Sequence, residues 1–276
     1  MATVIGGAIL YLALLGAMAG VVSLVIPLRF LGIRTRKRGA LVLLLGLAAF
    51  TVGVYLPVTE TRVEVPRTRL DEFAPVYQFS EFHSVDIAAP KDRVYAAIRA
   101  VPPEEIRFFK TLTTIRGLAN MARQGRPILE SFTAGGFVML ADDPDREIVI
   151  GRAGDARGRR MLAADEFKTY HPAPLVKIAM NFRIQEVDAA HCRLTTETRV
   201  YAAGIHVLRG FATYWRMIYP GSSLIRREWL RAIRLRAEAP SDAAPAQETT
   251  PRAVVNARAS WTDLIHPGRR RPNRSC

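Results

Sequence analysis

Cysteine is nearly absent from this chain. Cys192 and Cys276 are the only two in 276 residues, so neither a disulfide framework nor a cysteine-built metal cluster can be assembled. The familiar catalytic signatures are missing as well. No HExxH, CxxC, GxSxG, P-loop or GxGxxG occurs, and the chemistries those motifs serve have no carrier here. Five histidines, His83, His171, His191, His206 and His266, are scattered without a spacing that would bind metal from one helix face. No cofactor is called for. Lysine is scarce too, and the net charge of +14 is almost all arginine. Such a balance favours anionic partners such as lipid headgroups or nucleic acid. The arginines are spread out and interleaved with Asp and Glu, with no compact stripe of alternating aromatics, which speaks against nucleic acid.

Charge of either sign is absent from Met1 to Leu28, and again from Ala40 to Val58. A hydrocarbon core of about 30 Å needs roughly 20 apolar residues. The spacing therefore predicts a transmembrane hairpin over 1–58, with spans at about 4–28 and 40–58. A signal peptide fits poorly, because there is no positive start and a second span follows at once. Arg29, Arg34, Arg36, Lys37 and Arg38 crowd the connector, which the positive-inside rule keeps cytoplasmic. The expected product is a multi-pass cell-membrane protein with its soluble domain outside the cytoplasm. Gly16 and Gly20, with Ala49 and Gly53, place small residues four apart where helix backbones can approach. The same residues would serve packing within the hairpin or dimerisation, so oligomeric state stays open. Residues 59–76, with Pro66 and Pro75 among charges, read as an extended stalk.

From 77 to 237 the pattern is α+β. A strand over Tyr77–Ile87 places His83, Val85 and Ile87 on one face. Pro90 then opens a helix carrying Val94, Ala97, Ile98 and Val101. A second helix is expected from Glu104 to about Arg123, with Ile106, Phe109, Leu112 and Leu118. Strands follow at Phe137–Ala141, Glu147–Arg152 and Glu166–Tyr170. Val176–Ile184 alternates cleanly, with Lys177, Asn181 and Arg183 on its wet side. Cys192–Tyr201 sets Leu194, Thr196, Thr198 and Val200 against Arg193, Glu197 and Arg199. The long closing segment, Ile205–Arg236, carries Leu208, Phe211, Trp215, Ile218, Ser222, Ile225, Trp229 and Ala232 as one apolar stripe. Its back carries Arg209, Arg216, Arg226, Arg227, Arg231, Arg234 and Arg236. Pro220-Gly221 should split it into two pieces or kink it. It is the only element long and apolar enough to cover such a sheet.

Ser84-Val85-Asp86-Ile87-Ala88-Ala89-Pro90 with Arg93-Val94-Tyr95-Ala96-Ala97-Ile98 resembles the opening of START-like domains of the SRPBCC (polyketide cyclase and lipid-transfer) superfamily. The run from Arg193 to Val200 resembles its last strand. Tyr214-Trp215, Pro220-Gly221-Ser222 and Leu224-Ile225-Arg226-Arg227 are similar to its closing helix in a bacterial branch without a settled function. The resemblance covers about 77–237. It implies a helix-grip fold, a curved antiparallel sheet around a long C-terminal helix with an apolar cavity between them. Members bind lipids, sterols, quinones, polyketides or plant hormones, and a few catalyse cyclisation or hydroxylation. No motif for those activities is matched.

The expected ligand-binding set is Ile178, Met180, Phe182, Leu194 and Thr196 on the sheet, facing Phe211, Trp215 and Ile218 on the helix. Its expected partners are the bilayer and a lipid or other hydrophobic small molecule. The alternatives are an enzyme acting on a hydrophobic substrate, with His171 or Tyr170 as acid–base group, and an interaction module with a filled core. The tail, 238–276, reads as disordered and basic, with Pro267 to Pro272 as a cationic cluster and Trp261, Leu264 and Ile265 as a short docking segment. If both termini are extracytoplasmic, a membrane-impermeant maleimide added to intact expressing cells labels Cys276. Labelling only after permeabilisation would reverse the topology.

Overall fold

The computed structural model describes residues 2–115, 125–155, 158–160, 162–170, 173 and 175–240. Two apolar helices come first, α1 (Ala2–Val25) and α2 (Arg36–Tyr55). Next are β1 (Thr61–Arg62), α3 (Arg69–Phe73), β2 (Val76–Tyr77) and β3 (Phe79–Ile87). Three helices follow, α4 (Lys91–Ala100), α5 (Phe109–Ile115) and α6 (Ile128–Ala134), then β4 (Val138–Asp143), β5 (Glu147–Asp155) and β6 (Gly158–Arg160). The chain continues through α7 (Ala164–Thr169), β7 (Leu175–Asp188) and β8 (His191–Ala203) to α8 (Ile205–Glu238). His171, Leu118 and the tail beyond residue 240 lie outside the described residues.

Helices α1 and α2 pair along small residues. A Cβ on Gly46 would fall 2.6 Å from the Ala17 nitrogen, and one on Gly20 2.5 Å from that of Leu43, so only hydrogen fits at either crossing. Gly16, the other half of the GxxxG pattern, faces open space. The outer flanks stay apolar and uncovered, with Leu12 69% and Leu44 63% exposed. Both helices are long and apolar enough to cross a membrane, by length and composition.

The sheet is antiparallel and six-stranded, in the order β3-β8-β7-β5-β4, with β6 paired to β5. Its long central pair sets Met180 opposite Thr198, Phe182 opposite Thr196 and Ile184 opposite Leu194. All six point towards α8, as the alternation requires. The closing helix packs on this face together with α4 and α6, around Ile98, Ile128, Phe182, Leu194, Trp229 and Ile233. Curved antiparallel sheet around a long C-terminal helix is the helix-grip arrangement of an α+β fold.

Helix α8 is one continuous piece of 34 residues with Pro220 inside it, so of the two expectations the split into two pieces is the one not seen. The fold departs from the sequence reading in four further places. Residues 166–170 are not a strand but belong to α7, whose Asp165 and Glu166 sit in the first turn and Lys168 in the last, matching the helix dipole. The helix expected from Glu104 is broken. A 3₁₀ turn covers Pro103–Glu105, and α5 starts only at Phe109, after Phe108 adopts a φ of 60°. The expected stalk is folded onto the sheet, because α3 within it buries Leu70 and Phe73.

The last departure concerns the second face of the sheet, which is covered rather than wet. Leu70, Phe73, Leu162 and Phe167 from α3, α7 and their flanks lie over Val149, Leu175 and Ala179. The polar residues there are buried in pairs. Glu147 accepts the N–H groups of Arg69 at 3.0 Å and Leu70 at 3.2 Å, at the N-terminus of α3. Asn181 donates to Glu147 at 2.7 Å and accepts from the Glu197 N–H at 2.8 Å. Arg199 reaches Asp71 and Glu197, each at 2.7 Å. Burial opposes ionisation of Asp71, but the Arg67 N–H, Arg199 and Thr68 outweigh it and hold its pKa below the ordinary carboxylate value.

Lys177 is the exception to this pairing. It is buried, with its ammonium 4.6 Å from the centre of the Phe167 ring and a single hydrogen bond of 3.4 Å to the Lys168 carbonyl. Burial lowers its pKa to about 8 from 10.5. Between those two values the unfolded chain holds a proton that the folded chain has released, so stability rises with pH across that window. Lys177→Met should remove the slope and raise stability at pH 7 by roughly 1–3 kcal/mol, from about 1.4 kcal/mol per pKa unit discounted for relaxation. Denaturant midpoints at pH 7 and pH 10 check this, and equal slopes in both proteins would contradict it.

Candidate functional site

The seam between the sheet and α8 has a closed end and a more exposed end. At the closed end Phe182 meets Trp229 edge-on with ring centres 4.8 Å apart, and Phe132 lies 5.6 Å from the same indole. Met180, Phe182 and Leu194 all belong to this cluster, and each is almost wholly buried. Thr196 is buried as well, its hydroxyl donating to the Asn181 carbonyl at 2.7 Å. Towards the N-terminal half of α8 a separate cluster forms around Phe79, Val200, Ala212 and Trp215, with Phe211 and Ile218 half-buried against it. Ile178 touches both clusters. The eight expected ligand residues are therefore divided between two apolar regions under α8, with Ile178 against both.

At the more exposed end the aromatic rings are close. Phe79 lies 5.1 Å from Phe211 and 5.8 Å from Trp215, whose ring is 6.2 Å from that of Tyr219. Trp215 is only 4% exposed. Its indole N–H, like that of Trp229 at the closed end, has no hydrogen-bond partner among the described residues. A buried donor left without an acceptor costs about 1–3 kcal/mol.

Two polar insertions divide the seam. Arg226, expected on the solvent side, turns under the helix and donates to the Thr198 hydroxyl and the Met180 sulfur, both at 2.7 Å. Its guanidinium also sits 5.5 Å from the Trp229 ring centre. The spacing Ser222, Arg226, Trp229 already places it on the apolar stripe, and that is the signal the alternation of charges concealed. The second insertion is Glu81, whose side chain is 0% exposed. Its two oxygens take His83 Nε2 at 2.9 Å and the Ser222 hydroxyl at 2.8 Å. Ser223 also approaches His83 Nε2, at 3.4 Å. Glutamate and serine thus converge on one ring nitrogen. A hydrolytic triad needs the acid on one nitrogen and the nucleophile on the other, so the group is built to hold α8 on β3.

Tyr170, the remaining described acid–base candidate, packs with the cluster on the opposite face of the sheet. Among the described residues no group of three or more His, Cys, Asp or Glu is arranged to hold a metal ion.

Where α8 meets the apolar hairpin, Arg216 is 5% exposed instead of lying on a wet back. Its guanidinium donates to the carbonyls of Gly53 at 3.1 Å, Leu56 at 2.9 Å and Pro57 at 3.4 Å. Those carbonyls belong to the end of α2, where helix geometry leaves acceptors unmet and partial negative charge collects. Burial lowers the pKa of Arg216. Four residues after Arg216, Pro220 has no N–H to return to the Arg216 carbonyl. Gly7 of α1 closes on that same oxygen, where a Cβ would sit 3.0 Å away. One turn further on, the Tyr11 hydroxyl donates to the Met217 carbonyl. Beside these contacts an open cleft of about 540 Å³ separates α1 from α8.

Fold and seam together define a helix-grip protein with an aromatic interior and an attached apolar hairpin. The chain matches no protein-family model and no curated protein. Among solved structures it is similar to a conserved protein from Geobacillus kaustophilus, at 10% identity over 56% of this chain and 93% of that one, TM-score 0.31. It is also similar to the di-domain ARO/CYC BexL of the BE-7585A biosynthetic pathway, at 14% identity over 58% of this chain and 46% of that one, TM-score 0.28. A third is the Zhui aromatase/cyclase from Streptomyces, at 16% identity over 58% and 96%, TM-score 0.26.

Replacing Arg216 by methionine keeps the unbranched stem of the side chain, removes the guanidinium and strands three carbonyls. We expect a loss of about 2–4 kcal/mol, together with faster proteolysis of the 57–68 connector in detergent. Unchanged cleavage would show that the arginine does not fasten the hairpin.

Proposed function

We propose that this chain is a membrane-anchored START-like protein that binds or transfers a lipid or other hydrophobic small molecule in the seam between the sheet and α8. The observation that carries the reading is the buried Trp215 N–H without an acceptor, set beside the half-buried rings of Phe211 and Tyr219 at the more exposed end. Ligand sites are mostly apolar walls with a few placed polar groups, and a ligand carbonyl or hydroxyl would complete this one. Ile178, Phe211 and Ile218 are then the wall that opens first, while Met180, Phe182, Leu194 and Thr196 form its floor. The apolar helices α1 and α2 support anchoring, since their exposed flanks suit lipid better than water. Tethering keeps the seam close to a hydrophobic source and raises the effective concentration there.

The test is organic extraction and native mass spectrometry of the full chain purified in mild detergent. A retained apolar species is expected. Trp215→Phe should lower its retention about five-fold while leaving the melting temperature of the emptied protein within a few degrees. Equal retention in both proteins would reject the Trp215 site, and no bound species in either would reject the binding reading itself.

A further inference from the structure

The cleft between α1 and α8 lies outside the seam and differs from it in chemistry. Its described lining holds two arginines, Arg216 and Arg227, and no Asp or Glu. Arg216 is held by backbone carbonyls alone, so its charge meets no carboxylate. Arg227 is exposed and forms no ion pair or hydrogen bond among the described residues. Glu81, whose charge reaches Tyr219, is not part of the lining and is already engaged by His83 and Ser222. Tyr219 registers both charges. Burial raises its pKa and the Glu81 charge adds to the rise, while Arg227 opposes it. Hydroxyls complete the polar side, from Tyr219 and Ser223.

The apolar side is shared by the two helices. Ala8 supplies it from α1 and Leu224 from α8, and the uncovered flank of α1 continues through Leu12 and Leu15, 69% and 61% exposed. A volume of about 540 Å³ falls within the usual range of small-molecule sites, about 300–1,000 Å³. That is far more room than a bare oxoanion fills. Guanidinium groups whose charge meets no carboxylate select phosphate or carboxylate oxygens, and the adjoining apolar flank selects a chain attached to them.

We propose that this cleft binds an anionic amphiphile, with Arg227 on the headgroup oxygens and the hydrocarbon lying along Ala8, Leu224 and the outer flank of α1. The site is independent of the seam and of whatever occupies it. Its ligand lies beside the helix rather than under it, so the two can be filled together.

The experiment uses the delipidated full chain in a neutral detergent, titrated by native mass spectrometry with phosphatidylglycerol, with phosphatidylcholine and with inorganic phosphate. Phosphatidylglycerol should bind at least five-fold more tightly than phosphatidylcholine. Arg227→Gln should remove about five-fold of that affinity, near the value of one basic residue at an anionic surface. Ala8→Trp, at an exposed position, should block the cleft and weaken binding of both lipids there. Trp215→Phe should leave phosphatidylglycerol binding unchanged, which separates failure here from failure of the seam. Full phosphatidylglycerol affinity in folded Arg227→Gln would overturn the assignment. Displacement of the lipid by equimolar inorganic phosphate would also overturn it, by showing a free oxoanion site.

Discussion

The guanidinium of Arg216 is the point on which the arrangement of the parts depends. Three carbonyls at the end of α2 need donors, and an apolar helix end has none nearby to offer. Arg216 supplies them from the middle of α8, a segment 163 residues further along the chain than Gly53. The same turn of α8 receives α1, because Pro220 leaves the Arg216 carbonyl open and Gly7 has no side chain to keep α1 away. Hairpin and domain are therefore joined at one place by directional bonds. A flexible stalk would have allowed any orientation, and residues 59–76 are instead folded against the sheet through α3.

The sheet is held from both sides by different physics. Towards α8 it is an aromatic interior closed by Trp229 and Phe182, with one arginine and one glutamate let into it. On the other side, short helices cover a layer of paired charges in which Asp71, Arg199, Glu147 and Asn181 satisfy one another. Buried pairs of that kind add little net stability, but losing one member is costly. The two layers leave the half of the seam near Trp215 the more exposed, with Phe211, Ile218 and Ile178 only half-buried.

Much of the fold was legible because periodicity is a strong signal where elements are long. The strands ending at Asp188 and beginning at His191, and the helix from Ile205, follow directly from the spacing of Val176 to Ile184, Leu194 to Val200 and Leu208 to Ala232. Short elements were misread. Six residues of α7 carry too few turns to show a period, and α3 is shorter still. The candidate site was legible in its apolar members but not in its polar ones. Arg216 and Arg226 look like solvent-side arginines until the α2 carbonyls and Thr198 are placed beside them. Glu81 and His83 share a face two residues apart, yet only the fold brings Ser222 to them.

The contact between α2 and Arg216 also fixes an order of events. During synthesis α1 and α2 emerge first, and the residue that satisfies the end of α2 emerges only after every strand of the sheet has been made. Until then the Gly53, Leu56 and Pro57 carbonyls must be met by water, and the cleft between α1 and α8 has no second wall. Closure over so long a stretch of chain is slow compared with local helix and hairpin formation. A chain truncated before Arg216 would carry its hairpin and its whole sheet, yet lack the arginine that fastens the two together. Joining of the two parts is thus a report that the last helix has been completed.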